Sequence, residues 1–244
     1  MLESSTDSIL QEDLNIIANS DLPWKELDNS SILVTGATGL IGSQIIKAIL
    51  CRNRLTGAKT KILAHARNLE KAKKIFTDVL DREELKFIIS DITHNIDFDE
   101  PIDYLVHTAS ITVSKEMVAR PVEVIRTSLD GTQNVLELAL KKGIKGAVYL
   151  SSMEAFGVVQ ARDKRASEND LGQIDLTNPR SCYPEGKRMA ECICAAYASE
   201  YNLPVKIARL SQTFGAGITY TENRVFAQFA KRAIEKKDIV LHTS

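Results

Sequence analysis

Ser31-Ile32-Leu33-Val34 is a short apolar run, followed at once by Thr35-Gly36-Ala37-Thr38-Gly39-Leu40-Ile41-Gly42 and then by Ser43 to Leu50, whose apolar residues recur at helical spacing. That order predicts a buried strand, a glycine turn and a helix. Gly36, Gly39 and Gly42 suit a tight turn in which backbone approaches backbone, or a pyrophosphate drawn to the helix N-terminus. A glycine turn holding no ligand is the alternative that the residues leave open.

Beyond this unit, strands and helices alternate. Lys61–Ala64, Leu85–Ile89, Tyr104–His107 and Ala147–Ser151 have strand character. Leu69–Leu80, the segment opening at Gly131, and Pro184–Tyr201 have helical character. Such alternation predicts parallel strands joined by crossover helices, hence an α/β fold of the Rossmann type, a doubly wound parallel sheet with helices on both faces. Residues 1–29 precede the first strand and carry an amphipathic stretch, Ile9 to Ile17, either packing on the sheet or meeting a partner subunit. Ile239–Ser244 reads as a strand that stops in progress.

A second constellation lies further along. Tyr183 and Lys187 are four residues apart within one helical pattern, so they share a helix face, and Ser152 stands at the end of the fifth strand-like run. A free tyrosine titrates near pH 10. To act as a base near neutrality it needs about 3 units of lowering, which a fixed ammonium and a cationic nicotinamide ring could supply. Ser152 would hold a substrate hydroxyl while Tyr183 takes its proton. An exposed Tyr/Lys pair without chemistry is the bland alternative.

These motifs together with His107-Thr108-Ala109-Ser110, Leu150 to Gly157 and Arg209 to Gly215 occur in the order seen in the extended short-chain dehydrogenases, the nucleotide-sugar epimerase/dehydratase group, which the chain resembles from about residue 30 to residue 244. Arg180 to Glu191 is similar to the UDP-glucuronate decarboxylases, and the whole pattern also resembles the dTDP-glucose 4,6-dehydratases. The resemblance implies catalytic roles for Ser152, Tyr183, Lys187 and Glu154. It implies cofactor contacts from Gly36, Thr38, Gly39, Leu40, Ile41, Gly42, Arg67, Asp91, Ile92, Thr108, Ala109 and Ser110, together with Tyr183 and Lys187, and substrate contacts from Ser151, Ser152 and Gln212. It also implies a nucleotide-sugar substrate, a homodimer, and three regions: a helical extension over 1–29, a dinucleotide-binding domain with the catalytic helix over 30–208, and the beginning of a substrate-binding region over 209–244. A substrate domain truncated at the C-terminus is the corresponding expectation.

Cofactor choice depends on the end of the second strand, which reads Ala64-His65-Ala66-Arg67-Asn68. The carboxylate that usually marks NAD is absent there, and Arg67 fits either a 2′-phosphate of NADP or adenine stacking. NAD and NADP both stay open, with a tilt to NADP. Asp91 is either the family's adenine contact or a turn cap.

The family's reactions begin by oxidising a sugar carbon to a ketone and then diverge. Its 4,6-dehydratases carry an acidic pair after the Ser or Thr, and here the pair is Met153-Glu154. Met153 cannot protonate a leaving hydroxyl, which favours decarboxylation or epimerisation over dehydration, with Glu154 as base, orienting group or plain structural carboxylate. A binding module without turnover, or an interaction protein using the N-terminal helix, is the non-enzymatic alternative.

Composition narrows the classes. A net charge of −1 with no basic patch gives no sign of nucleic-acid binding, and no apolar run is long enough to suggest a membrane span. Met1–Ser5 lacks signal-peptide features, so a cytoplasmic location is expected. Cys51, Cys182, Cys192 and Cys194 lack metal-ligand spacing, so no metal is expected. Cys182 is read as core or pocket lining, and His107 as a packing residue.

Overall fold

The computed structural model describes residues 1–159, 165–218, 220–222 and 224–240. Six strands, β1 (Ser31–Thr35), β2 (Lys61–Ala66), β3 (Leu85–Ile89), β4 (Tyr104–His107), β5 (Gly146–Ser152) and β6 (Val205–Leu210), form one sheet in the order β3-β2-β1-β4-β5-β6. Every pairing is parallel. Strand order reverses between β1 and β4, and at such a switch the C-terminal strand ends open a crevice where ligands bind.

Both faces of the sheet are packed, as parallel strands require. Ile32, Val34, Ile62 and Ala64 point to one side, where they meet Ile46, Ile49 and Leu50 of a helix α2 (Leu40–Thr56). Leu33, Leu63, Leu105 and Ala147 point to the other, against α5 (Pro121–Lys142) and α6 (Cys182–Tyr201). Alternation of successive strand residues between these layers is why β1 is buried along its whole length. On the α2 side, β4 and β5 border an apolar trough of about 730 Å³ reaching Trp24, Ile45 and Phe214, which shares no lining with Ser152, Tyr183 or Lys187.

Several sequence expectations are refined. The first helix, α1 (Ser8–Ala18), lies on α2 rather than on the sheet: Leu10 and Leu14 pack with Ala48 and Cys51. The helix expected over Leu69–Leu80 is α3 (Leu69–Ile75) followed by a 3-10 turn at Thr77–Val79, broken where Phe76 turns fully into the core. α5 starts at Pro121, ten residues before Gly131, because proline suits a first helical turn whose N–H groups need no partner. Short helices α4 (Ser114–Ala119) and α7 (Val225–Ile234) complete the described elements. Of the strand expected at the end, Ile239 and Val240 have no strand structure and residues 241–244 lie outside the described residues.

Candidate active site

Gly36 adopts φ +66°, and a Cβ there would stand 2.7 Å from the Ala109 amide nitrogen and 2.7 Å from Thr108 Oγ1. A Cβ on Gly42 would stand 2.5 Å from the Gly36 carbonyl oxygen. Only glycine satisfies both the dihedral and the approach. Segment 108–110 is stitched to the end of β1: Thr108 Oγ1 donates to the Thr35 carbonyl at 2.6 Å, and the Ala109 N–H donates to Thr35 Oγ1 at 3.3 Å. Gly39 caps α2 without a side-chain acceptor, so the first-turn N–H groups of α2 stay available at this crevice. Ser110 Oγ is buried and lacks a hydrogen-bond partner among the described residues. A bare helix start, a cradle that any Cβ would fill and an orphaned hydroxyl fit a bound pyrophosphate and its ribose.

Around this crevice the other expected contacts divide. Thr38, Leu40 and Ile41 lie on the turn and first helical turn beside it, partly buried. Ile92 is a core residue at 4 % exposure, with its carbonyl accepting from Asn134 Nδ2 at 2.9 Å. Asp91 accepts from the N–H and hydroxyl of Thr93, at 2.9 and 2.8 Å, and these bonds hold it below the usual aspartate range. Asp91 and Arg67 border one recess of about 360 Å³ with Thr93, Glu123 and Arg126. Arg67 pairs there with Glu123, Nη1 to Oε1 3.5 Å. A carboxylate therefore does stand at the end of β2, delivered by the first turn of α5.

On the catalytic side, α6 places Tyr183 and Lys187 on one buried face, with Pro184 in the first turn where its missing N–H costs nothing. Gly186 lets α6 approach α5, since a Cβ would meet Ser128 Oγ at 3.0 Å. Lys187, 3 % exposed, donates from Nζ to the Leu150 carbonyl at 2.8 Å, and burial pushes its pKa down to about 8. Tyr183 is buried too. Burial raises its pKa, while a hydrogen bond with Ser152 acts in the opposite sense. Lys187 Nζ lies 5.8 Å from the Tyr183 ring centre and gives its hydrogen bond to the β5 backbone.

Glu154 follows Ser152 in a 3-10 turn (Met153–Phe156), where its N–H donates to Ser152 Oγ at 3.2 Å. Both its carboxylate oxygens accept from Arg180 Nη2, at 3.0 and 2.9 Å. Met153 is 41 % exposed. Ser151 turns away from the site: its hydroxyl donates to Glu191 Oε1 at 2.5 Å and it is buried. Side chains alternate along a strand, so Ser151 and Ser152 cannot both face the crevice. Gln212 is exposed on the loop after β6.

Two supporting groups lie within the Arg180–Glu191 segment, but their roles do not follow from its spacing. Glu191, one turn beyond Lys187, is bound by Arg209 at 2.7 Å and by Ser151, joining α6 to β5 and β6. Arg188 donates to the carbonyls of Ala155 at 2.7 Å and Gly172 at 2.7 Å, holding the segment after Ser152. His107 packs as expected: Nδ1 lies 2.7 Å from Thr35 Oγ1, and burial pushes its pKa down to about 3. Cys182 is buried, its thiol against the Met117 carbonyl. Among the described residues no helix is long and apolar enough to cross a membrane.

A family model described as NAD dependent epimerase/dehydratase family matches residues 32–244. UDP-glucuronic acid decarboxylase 1 of Xenopus tropicalis is 27 % identical over 220 residues, which cover 90 % of this chain and 49 % of the relative. The chain spans about half the length of the curated relatives it matches. Among solved structures, dTDP-glucose 4,6-dehydratase from Bacillus anthracis in complex with NAD superposes with a TM-score of 0.66 at 22 % identity, over 85 % of this chain and 62 % of that one. UDP-N-acetylglucosamine 4-epimerase from Methanobrevibacter ruminantium gives 0.72 at 19 %, over 89 % and 66 %. These likenesses confirm the fold. The match over residues 32–244 places the chain in the NAD dependent epimerase/dehydratase family.

Proposed function

From that membership we propose that the chain carries the redox site of a nucleotide-sugar-modifying enzyme working with a nicotinamide dinucleotide, and that its reaction is decarboxylation of a nucleotide-uronate or epimerisation. The observation that carries this reading is the contact of Tyr183 with Ser152, with the tyrosine and Lys187 buried on one face of α6, at the same end of the parallel sheet as the Gly36–Gly42 cradle. Curated relatives named as UDP-glucuronic acid decarboxylases support the choice of substrate.

Ser152 orients the sugar hydroxyl and Tyr183 Oη takes its proton, with Lys187 anchored behind them on Leu150. An oxidised nicotinamide dinucleotide held at the cradle would supply the hydride acceptor for the same carbon and, until reduced, a positively charged ring. A ketone formed next to a carboxyl-bearing carbon accepts the electron pair left when carbon dioxide departs. Ser152 and Tyr183 are then placed to hold and protonate the resulting enolate oxygen. Water elimination needs an acid on the leaving hydroxyl, and Met153 offers none, which supports decarboxylation or epimerisation over dehydration. Gly36, Thr38, Gly39, Leu40, Ile41, Gly42, Thr108, Ala109 and Ser110 would hold the dinucleotide. Arg67 offers a cation to a 2′-phosphate and Glu123 a carboxylate to ribose hydroxyls. Arg67→Ala weakens NADP selectively if the first dominates, and Glu123→Ala weakens NAD if the second does.

Mass spectrometry of products from UDP-glucuronate, UDP-glucose and dTDP-glucose, each incubated with the chain and NAD or NADP, tests the reading. Loss of carbon dioxide, or unchanged mass with altered stereochemistry, is expected. Loss of water at an enzymatic rate contradicts it. A silent binding module is the second reading, favoured by the burial that raises the Tyr183 pKa, and it predicts dinucleotide binding with no product.

A further inference from the structure

We propose that Arg180 is the side chain that recognises a substrate carboxylate, making the site selective for acidic nucleotide-sugars; this rests on the reading of Ser152, Tyr183 and Lys187 as the redox site. Arg180 stands in the 3-10 turn Pro179–Ser181 that leads into α6. That turn is firmly built: Asn178 Oδ1 accepts from the Arg180 N–H at 2.9 Å, and Ser181 Oγ donates to the Asp175 carbonyl at 2.6 Å. The guanidinium carbon lies 5.7 Å from the centre of the Tyr183 ring, so a cation is held beside the proposed base.

Its present partner uses only part of it. Glu154 engages Nη2 alone, and the N–H groups of Nε and Nη1 have no hydrogen-bond acceptor among the described residues. Arginine carries five donors, and its planar group binds carboxylates with directional charged hydrogen bonds. Both side chains of the pair reach the surface, with 30 % exposure for Arg180 and 38 % for Glu154, so a ligand entering the mouth of the site meets them.

Substrate chemistry supplies the match. In a hexuronate, the carboxyl carbon is attached to the ring carbon next to the 4-hydroxyl carbon, whose oxidation makes the acid prone to lose carbon dioxide. If Ser152 and Tyr183 grip that hydroxyl, the carboxylate falls in the immediate surroundings of Tyr183. Lys187 is committed there to the Leu150 carbonyl. Two other cations bear on Tyr183, Arg180 and Arg224, and Arg224, the N-cap residue of α7, is paired with Glu222 through Nη2 at 2.8 Å. Arg180 is the one attached to the Ser152 turn through Glu154. Glu154 tempers that selectivity: it partly neutralises Arg180, so that a uronate must compete with one internal carboxylate for the same cation.

Calorimetric titration of UDP-glucuronate and UDP-glucose into the NAD-loaded chain tests this, with Arg180→Met, Arg180→Lys, Glu154→Gln and Arg224→Met alongside. The parent chain is expected to prefer the uronate by about tenfold or more, the worth of a charged hydrogen bond. Arg180→Met abolishes that preference, Arg180→Lys keeps part of it, and Glu154→Gln enlarges it. Should Arg180→Met fail to fold, as its melting temperature would report, the lysine and glutamine variants decide the matter. A preference that survives Arg180→Met, follows Arg224→Met instead, or is missing from the parent chain overturns the assignment. If UDP-glucose binds without any preference for the uronate, the carboxylate role alone falls. If neither sugar binds and no product forms, the redox reading falls as well.

Discussion

Gly36→Ala is the substitution whose cost follows most directly from the geometry. At φ +66° an alanine pays about 1–2 kcal/mol for the left-handed conformation. Its methyl would also stand 2.7 Å from the Ala109 nitrogen and 2.8 Å from the Ala109 Cα, backbone atoms that β1 and segment 108–110 hold in place, adding about 1–3 kcal/mol of overpacking. The sum is roughly 2–5 kcal/mol. For a chain of this length it lowers the melting temperature by on the order of 10 °C. Gly57→Ala is the internal control, because Gly57 has φ +77° but nothing within 4 Å of its Cβ position, so only the conformational cost of about 1 kcal/mol applies. Differential scanning fluorimetry of both variants, with and without NAD, separates the two effects. Gly36→Ala should lose the rise in melting temperature that the dinucleotide confers, and Gly57→Ala should keep it. Equal small shifts in the two variants, with dinucleotide stabilisation intact in both, would refute the close approach between the β1 turn and segment 108–110.

Removing the clamp on α6 by Glu191→Ala leaves Arg209 Nε and Nη2 and the Ser151 hydroxyl without their acceptor, and is expected to destabilise by about 3 kcal/mol in urea titrations; a change below about 0.5 kcal/mol would show that the pair is dispensable. Burial pushes His65 to about 4 and His107 to about 3, so the fold keeps both neutral while the unfolded chain protonates them below its ordinary value of 6.5. Their contribution is intact above about pH 6.5 and declines as the pH falls towards 4, on the order of 2 kcal/mol each near pH 4.5. The slope of stability against pH in that window should be shallower in His65→Asn than in the parent chain, and identical slopes would contradict it.

What the sequence makes legible is what local spacing encodes. The glycine turn and the Tyr183/Lys187 face follow from neighbours in the chain, and β1, α2 and α6 arise where the periodicities place them. Pairings across the fold are a different matter. Glu123 reaches Arg67 because α5 begins beside the end of β2, a placement set by sheet order. Ser151 and Ser152 look interchangeable as letters, and only the strand's alternation sends one to Glu191 and the other to Tyr183. The lysine that spacing alone would pair with the phenol is drawn to the Leu150 carbonyl, since a buried ammonium needs an acceptor and β5 presents one. Met153 and Glu154 are adjacent in the chain, yet only the fold ties Glu154 to Arg180.

The claim that Tyr183 is the base is tested by nicotinamide absorbance when the NAD-loaded chain is mixed with UDP-glucuronate. In Tyr183→Phe the rate of cofactor reduction should fall by about a hundredfold or more while NAD still raises the melting temperature as it does in the parent chain. Reduction at the parent rate in Tyr183→Phe would contradict the account.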